Sequence, residues 1–173
     1  MTRPLTGVLL VGGASTRFGS PKALAEVGGE RLVDRGRRTL AEACAEVLVV
    51  GKPGELPLDV LPDAAPGVRA PISGVVAGLR AAAHDVAVFL PVDCPWMTGE
   101  ALWALGAACR DAAVPQTGPL PGAWAKSALP ELERRLASGP YALYRAYDEL
   151  DVAVVHLDPA IVADVDTPAD LTL

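Results

Sequence analysis

Apolar and polar positions divide the first half of the chain into alternating blocks. Gly7 to Val11, Val47 to Val50 and Val86 to Pro91 are nearly free of polar residues, as expected of strands covered on both faces. Between them, Arg31 to Ala45 and Ile72 to Ala83 space their apolar residues as helices do. This βαβ rhythm predicts a mainly parallel sheet, and hence an α/β fold: a three-layer Rossmann-like sandwich around a mixed sheet. The second half is less regular. It predicts a helix over Glu100 to Cys109, a short strand at Ala113 to Pro115, and a surface excursion through the Gly/Pro-rich Gln116 to Trp124. Helical patterns follow at Leu129 to Ala137 and Ala142 to Leu150, then a strand at Val152 to His156 and a short helix opened by Thr167 and Pro168. No repeat, low-complexity tract or linker interrupts the pattern. The Pro-rich stretches Lys52 to Pro57 and Pro62 to Pro71 read as loops inside one domain spanning residues 1–173, with a regular first part, about 1–98, and a less regular second part, about 99–173.

Composition narrows the function. The formal charge is −6, with 15 Lys and Arg, which argues against broad nucleic-acid binding but leaves room for a small anion held by a few cations and backbone amides. No apolar run approaches the roughly 18 residues of a membrane span, and the opening residues lack the plan of a secretory signal, so a cytoplasmic protein is expected. Cys44, Cys94 and Cys109 are odd in number and have no CxxC spacing, as befits reduced core thiols. His84 and His156 are isolated, and no zinc site is expected.

The chemistry concentrates in Leu10-Val11-Gly12-Gly13-Ala14-Ser15-Thr16-Arg17-Phe18-Gly19-Ser20-Pro21-Lys22, directly after the first predicted strand. In open α/β sheets ligands bind beyond the carboxyl ends of strands. Gly12 and Gly13 let the backbone approach a ligand where a Cβ would collide. Amides of residues 12–16 can donate to phosphate oxygens while Arg17 and Lys22 supply positive charge. The stretch is neither GxGxxG nor GxxxxGK[ST], so the dinucleotide and P-loop readings do not apply.

This loop resembles the LxGGxSxRMGxxK loop of nucleotidyltransferases with the nucleotide-diphospho-sugar transferase fold, and most closely that of the molybdenum cofactor guanylyltransferases. The resemblance continues through four segments. Pro62-Asp63 and Pro71-Ile72-Ser73-Gly74 are similar to the family's aspartate and GPLAG turn; Gly74 would lie against a base and Asp63 would accept from guanine N1 and N2 or from ribose hydroxyls. Asp63 as a turn cap and Pro71 as a plain helix start are the competing roles. Val86 to Pro95 resembles the strand ending in CDxP, whose Asp93, at a strand tip facing the triphosphate, suits Mg²⁺. Asp164-Val165-Asp166-Thr167-Pro168 is similar to N-V-N-T-P and implies Asp166 as a second Mg²⁺ ligand and Asp164 as an acceptor contact. Gly118 to Leu136 is similar to the acceptor-receiving stretch, with Trp124 and Lys126 against a pterin or its phosphate; Trp124 as a core residue is the alternative. Val11, Phe18 and Val50-Gly51-Lys52 depart from the family pattern, the last at a place where guanylyltransferases often carry an asparagine.

The resemblance implies transfer of GMP from GTP, with Mg²⁺, to the phosphate of molybdopterin or the molybdenum cofactor, with Arg17, Lys22 and Asp93 as the catalytic groups and Leu10, Val11, Gly12, Gly13, Lys22, Asp63, Gly74 and Asp93 around the nucleotide. The implied partners are these two substrates, with neither nucleic acid nor membrane. The implied assembly is a monomer or weak homo-oligomer in transient contact with cofactor-handling proteins. The rival readings are a CTP-dependent cytidylyltransferase, a sugar-1-phosphate nucleotidyltransferase and a nucleotide-binding module without turnover.

Overall fold

A computed structural model of the chain describes residues 2–12 and 21–172. Its centre is a seven-stranded sheet. The strands are β1 (Thr6–Leu10), β4 (Glu46–Gly51), β5 (Leu61–Pro62), β6 (Val86–Pro91), β7 (Ala112–Pro115), β8 (Gly122–Ala125) and β9 (Val152–Val155), in the spatial order β5-β4-β1-β6-β8-β7-β9. A separate two-stranded ribbon pairs β2 (Glu26–Val27) with β3 (Glu30–Arg31). Pairings β5/β4, β4/β1, β1/β6 and β7/β9 are parallel, whereas β8 runs antiparallel to both its neighbours. The predicted α/β sandwich with a mainly parallel mixed sheet is therefore the observed architecture.

The helices are α1 (Leu32–Ala43), α2 (Pro71–Ala81), α3 (Gly99–Ala108), α4 (Leu129–Ser138) and the short α5 (Pro159–Val162). One layer of apolar side chains packs α1 and α3 on the sheet through Leu9, Leu32, Leu40, Val88, Leu102 and Leu105. The other packs α2 and α4 through Val8, Ile72, Leu79, Phe89, Trp124 and Leu132. Residues alternate between these layers along β1 and β6, which is why both strands are apolar apart from Thr6 at the start of β1, whose hydroxyl donates to Glu46 Oε2 at 2.7 Å. Helix α2 starts at Pro71, whose missing N–H is no loss in a first turn. It sits close on the sheet because a Cβ on Gly78 would lie 2.6 Å from Phe89 Cε1 and 3.0 Å from Val8 Cγ1. That close approach carries the first turn of α2 to the end of β1.

One expectation fails in part. Gln116 to Leu120 do run over the surface, exposed or half-buried, but the last residues of the Gly/Pro-rich segment form β8, a buried strand between β6 and β7. The Gly/Pro content suggested a loop throughout, but the small residues Gly122, Ala123 and Ala125 suit a strand crowded on both faces. The helical pattern of Ala142 to Leu150 takes the form of a 3-10 helix, Leu143–Glu149. No helix among the described residues is long and apolar enough to cross a membrane.

Candidate functional site

The carboxyl ends of the central strands converge on one edge of the sheet. Leu10 pairs with Val50 on one side and Pro91 on the other. Past the strand ends, Val11 N donates to Val50 O at 2.9 Å and Val92 N to Leu10 O at 2.9 Å. The sheet thus continues far enough to bring Gly12, the residues after Gly51 and the turn bearing Asp93 side by side. Gly13 and Arg17, with the amides of residues 14–16, lie outside the described residues.

On the β6 side, Lys22 Nζ lies 3.8 Å from Asp93 Oδ2 and donates to Val165 O at 2.8 Å. Val165 N in turn donates to Asp93 O at 2.8 Å. One main-chain bond therefore ties the C-terminal segment to the Asp93 turn, and Lys22 bridges the two. Burial holds the Asp93 carboxyl above its usual range; Lys22 works against this, and Asp164 raises it further. Asp164 is thus close enough to act on Asp93 electrostatically, while Asp166 is exposed and its N–H, with that of Thr167, donates to Asp170 Oδ2 at 2.9 and 2.8 Å. The neighbouring thiol of Cys94 is also raised, chiefly by burial and then by Asp93. Among the described residues no three His, Cys, Asp or Glu side chains converge as a metal cage. The carboxylates at this edge suit a hard cation that keeps water and phosphate ligands of its own.

On the β4 side, the two-residue strand β5 pairs Pro62 with Gly51 and leaves Asp63 just beyond the sheet. Its carboxylate lies between two glycines: a Cβ on Gly74 would stand 3.2 Å from Asp63 Oδ1 and 2.9 Å from Leu10 Cδ2, and one on Gly12 would stand 3.7 Å from Asp63 Oδ2. Burial pushes the Asp63 carboxyl upward. At Gly51, a Cβ would fall 2.7 Å from Val11 Cγ2 and 3.1 Å from Gly12 N. The main chain at residues 11–12 fills the space a side chain there would use. Lys52 points away, pairing with Glu55 at 2.9 Å.

The structure thus brings Leu10, Val11, Gly12, Lys22, Asp63, Gly74, Asp93, Asp164 and Asp166 to one edge. Trp124 and Lys126 are not there. Trp124 is fully buried on β8 against Tyr147, with ring centroids 6.4 Å apart. Lys126 N donates to Asp85 O at 2.8 Å, at the start of β6. Because β8 runs against β6, with Val86 opposite Ala125, its carboxyl end lies at the opposite edge of the sheet, and neither residue can meet an acceptor at the Asp93 edge. Sequence reasoning missed the contribution of Val165, which acts through its N–H and C=O and so leaves no side-chain signature.

The comparisons with known proteins agree with this geometry. The family model for the MobA-like NTP transferase domain matches residues 7–153. The probable molybdenum cofactor guanylyltransferase of Deinococcus radiodurans is 38% identical over 97% of this chain and 92% of its own length. The protein of the same description from Chloroflexus aggregans is 32% identical over 84% of this chain and 77% of its own. Among solved structures, molybdopterin-guanine dinucleotide biosynthesis protein A from Archaeoglobus fulgidus superposes with a TM-score of 0.79 at 23% identity, covering 96% of this chain and 94% of the other. The 2-C-methyl-D-erythritol 4-phosphate cytidylyltransferase of Thermus thermophilus gives 0.71 at 21% identity, covering 99% and 96%. The two structures share the fold. With the family model spanning most of the sheet and a relative of this identity along nearly the whole length, the chain belongs to the MobA-like NTP transferase family.

Proposed function

We propose that this protein transfers GMP from GTP to the phosphate of molybdopterin or the molybdenum cofactor, releasing pyrophosphate. The observation that carries the reading is the meeting of Gly12, Lys22, Asp63, Gly74 and Asp93 at one sheet edge. Guanylyltransferase relatives covering most of the chain favour GTP as donor, and the notch of Asp63 between two glycines offers a carboxylate to the N1 and N2 donors of guanine or to ribose hydroxyls.

The acceptor phosphate is already ionised at neutral pH, so its oxygen attacks the α-phosphorus without a general base, and catalysis is positioning and charge stabilisation. Lys22 would set its ammonium beside the triphosphate, the role that the sequence pattern also gives to Arg17 and to the amides of Gly12 and Gly13. Asp93 would hold Mg²⁺, with Asp166 from the C-terminal segment as the second carboxylate, and the ion held there would supply neutralisation of phosphate charge. Residues up to about 98 form the nucleotide half. Asp164 and the segment tied to Asp93 face the acceptor. The site works in the cytoplasm, where GTP and reduced thiols prevail.

Incubating the protein with molybdopterin, Mg²⁺ and GTP, CTP or ATP in turn, and weighing the products by mass spectrometry, tests the reading. The guanine dinucleotide from GTP alone is expected. A cytosine dinucleotide in its place, or no product with any triphosphate, overturns it.

A further inference from the structure

The turn that carries Asp63 is held by a residue that none of the site assignments includes. Ser73, in the first turn of α2, is buried, with 1% of its surface exposed. Its hydroxyl accepts from Ala65 N at 2.8 Å and donates to Ala65 O at 3.0 Å. Its own carbonyl accepts from Ala64 N at 3.2 Å. Three hydrogen bonds from one residue thus clamp the two residues after Asp63 onto the helix whose next residue, Gly74, bounds the notch. From Pro62, Asp63 has only the two-residue strand β5 to hold it, and burial opposes its charge. Left to itself, the carboxylate would turn outward to water.

We infer that Ser73 is a positioning residue for donor selectivity, its hydroxyl holding the Ala64–Ala65 turn so that the Asp63 carboxylate stays aimed into the space between Gly12 and Gly74. The inference rests on the proposed role of Asp63 in donor recognition. A carboxylate there reads the guanine 2-amino group or a ribose hydroxyl, and a carboxylate that can swing away loses that discrimination before it loses the rest of the triphosphate contacts, which lie on Lys22, Asp93 and the loop.

The test measures kcat/KM for GTP, ITP (which lacks the 2-amino group) and 2′-deoxy-GTP in the parent, Asp63→Asn, Ser73→Ala and Val76→Ala. Val76 is equally buried on the same helix and its hydrocarbon side chain can make no hydrogen bond to the turn, so V76A reports what loosening α2 does by itself. D63N is expected to abolish the parent's preference for GTP over one of the two analogues. S73A is expected to shrink that same preference three- to tenfold, mostly through KM for GTP, with V76A leaving it intact. If D63N leaves both preferences unchanged, the reading of Asp63 fails and the inference with it. If D63N abolishes a preference that S73A retains, or V76A shrinks it as much as S73A does, Ser73 has no positioning role while the reading of Asp63 stands. Should S73A not fold, Ser73→Cys, whose thiol is a weaker hydrogen-bonding group, is expected to lower the preference part of the way, and an unchanged preference in it overturns the inference.

Discussion

Replacing Asp93 by asparagine separates stability from chemistry. The substitution keeps the shape of the side chain and removes its charge. Two terms compete at this strand tip. The attraction of Lys22 at 3.8 Å is worth at most about 4 kcal/mol at an effective dielectric near 20. Burial opposes the charge and prevails, since the carboxyl is held above its normal range, with Asp164 adding repulsion. The folded protein therefore keeps the Asp93 proton to higher pH than the unfolded chain does. Between the unfolded and the raised folded value the native state binds more protons, so stability falls as pH rises through that window. At pH 7 the parent carries this whole penalty and D93N carries none. D93N should therefore melt above the parent at pH 7, each 1 kcal/mol of relief being worth about 2–4 °C in Tm for a chain of this size. Turnover should fall about 10²- to 10³-fold, the scale for losing one electrostatic group from a transition state. Differential scanning fluorimetry between pH 4 and 8, beside a product assay, measures both. A D93N protein that melts below the parent at pH 7, or whose advantage does not shrink toward pH 4, refutes the claim that desolvation outweighs the Lys22 pair; near-normal turnover refutes the role of Asp93 in catalysis.

Three other substitutions probe the same edge. Gly12→Ala places a methyl group at ordinary contact distance from its described neighbours, 3.7 Å from Asp63 Oδ2 and 3.9 Å from Gly51 Cα, so Tm should stay within about 2 °C while KM for the triphosphate rises at least tenfold; an unchanged KM would show that no ligand approaches there. Gly74→Ala meets Leu10 Cδ2 at 2.9 Å and must displace packing, so it should cost about 1–3 kcal/mol in denaturant unfolding as well as raising KM. Trp124→Phe removes a buried indole N–H that has no hydrogen-bond partner among the described residues, so thermal stability should change little, whereas Trp124→Ala should cost about 3–5 kcal/mol. With Lys126→Ala, W124F should leave KM for the acceptor at the parent value in steady-state kinetics, because both residues stand away from the Asp93 edge.

Much of the site could be read before the fold was known. The strand β1, the glycines after it, Lys22, Asp93 at the end of an apolar strand and the Asp164 to Thr167 segment are local patterns, each announced by a few adjacent residues. Their convergence is almost dictated by parallel pairing, because parallel strands put all their carboxyl ends on one edge. Trp124 and Lys126 show where this reasoning stops. They follow a Gly/Pro-rich segment in sequence as naturally as Asp93 follows β6, but the reversal of β8 puts them at the other edge. Strand direction in a mixed sheet is a property of the pairing, and no residue in Gly122–Ala125 encodes it alone.

The amino-acid sequence by itself determined the alternation of strands and helices, the two-sided burial of β1 and β6, and the chemical types available at the candidate site, glycines, a lysine and carboxylates, because periodicity and side-chain chemistry are local. Only the tertiary structure decided that β8 runs backward, that two-residue β5 carries Asp63 to the notch between Gly12 and Gly74, and that Val165 joins Asp93 and Lys22 through its backbone. Those contacts use main-chain groups that every residue shares, or pair residues far apart in the chain, so they arise only when the whole sheet has closed its hydrogen bonds.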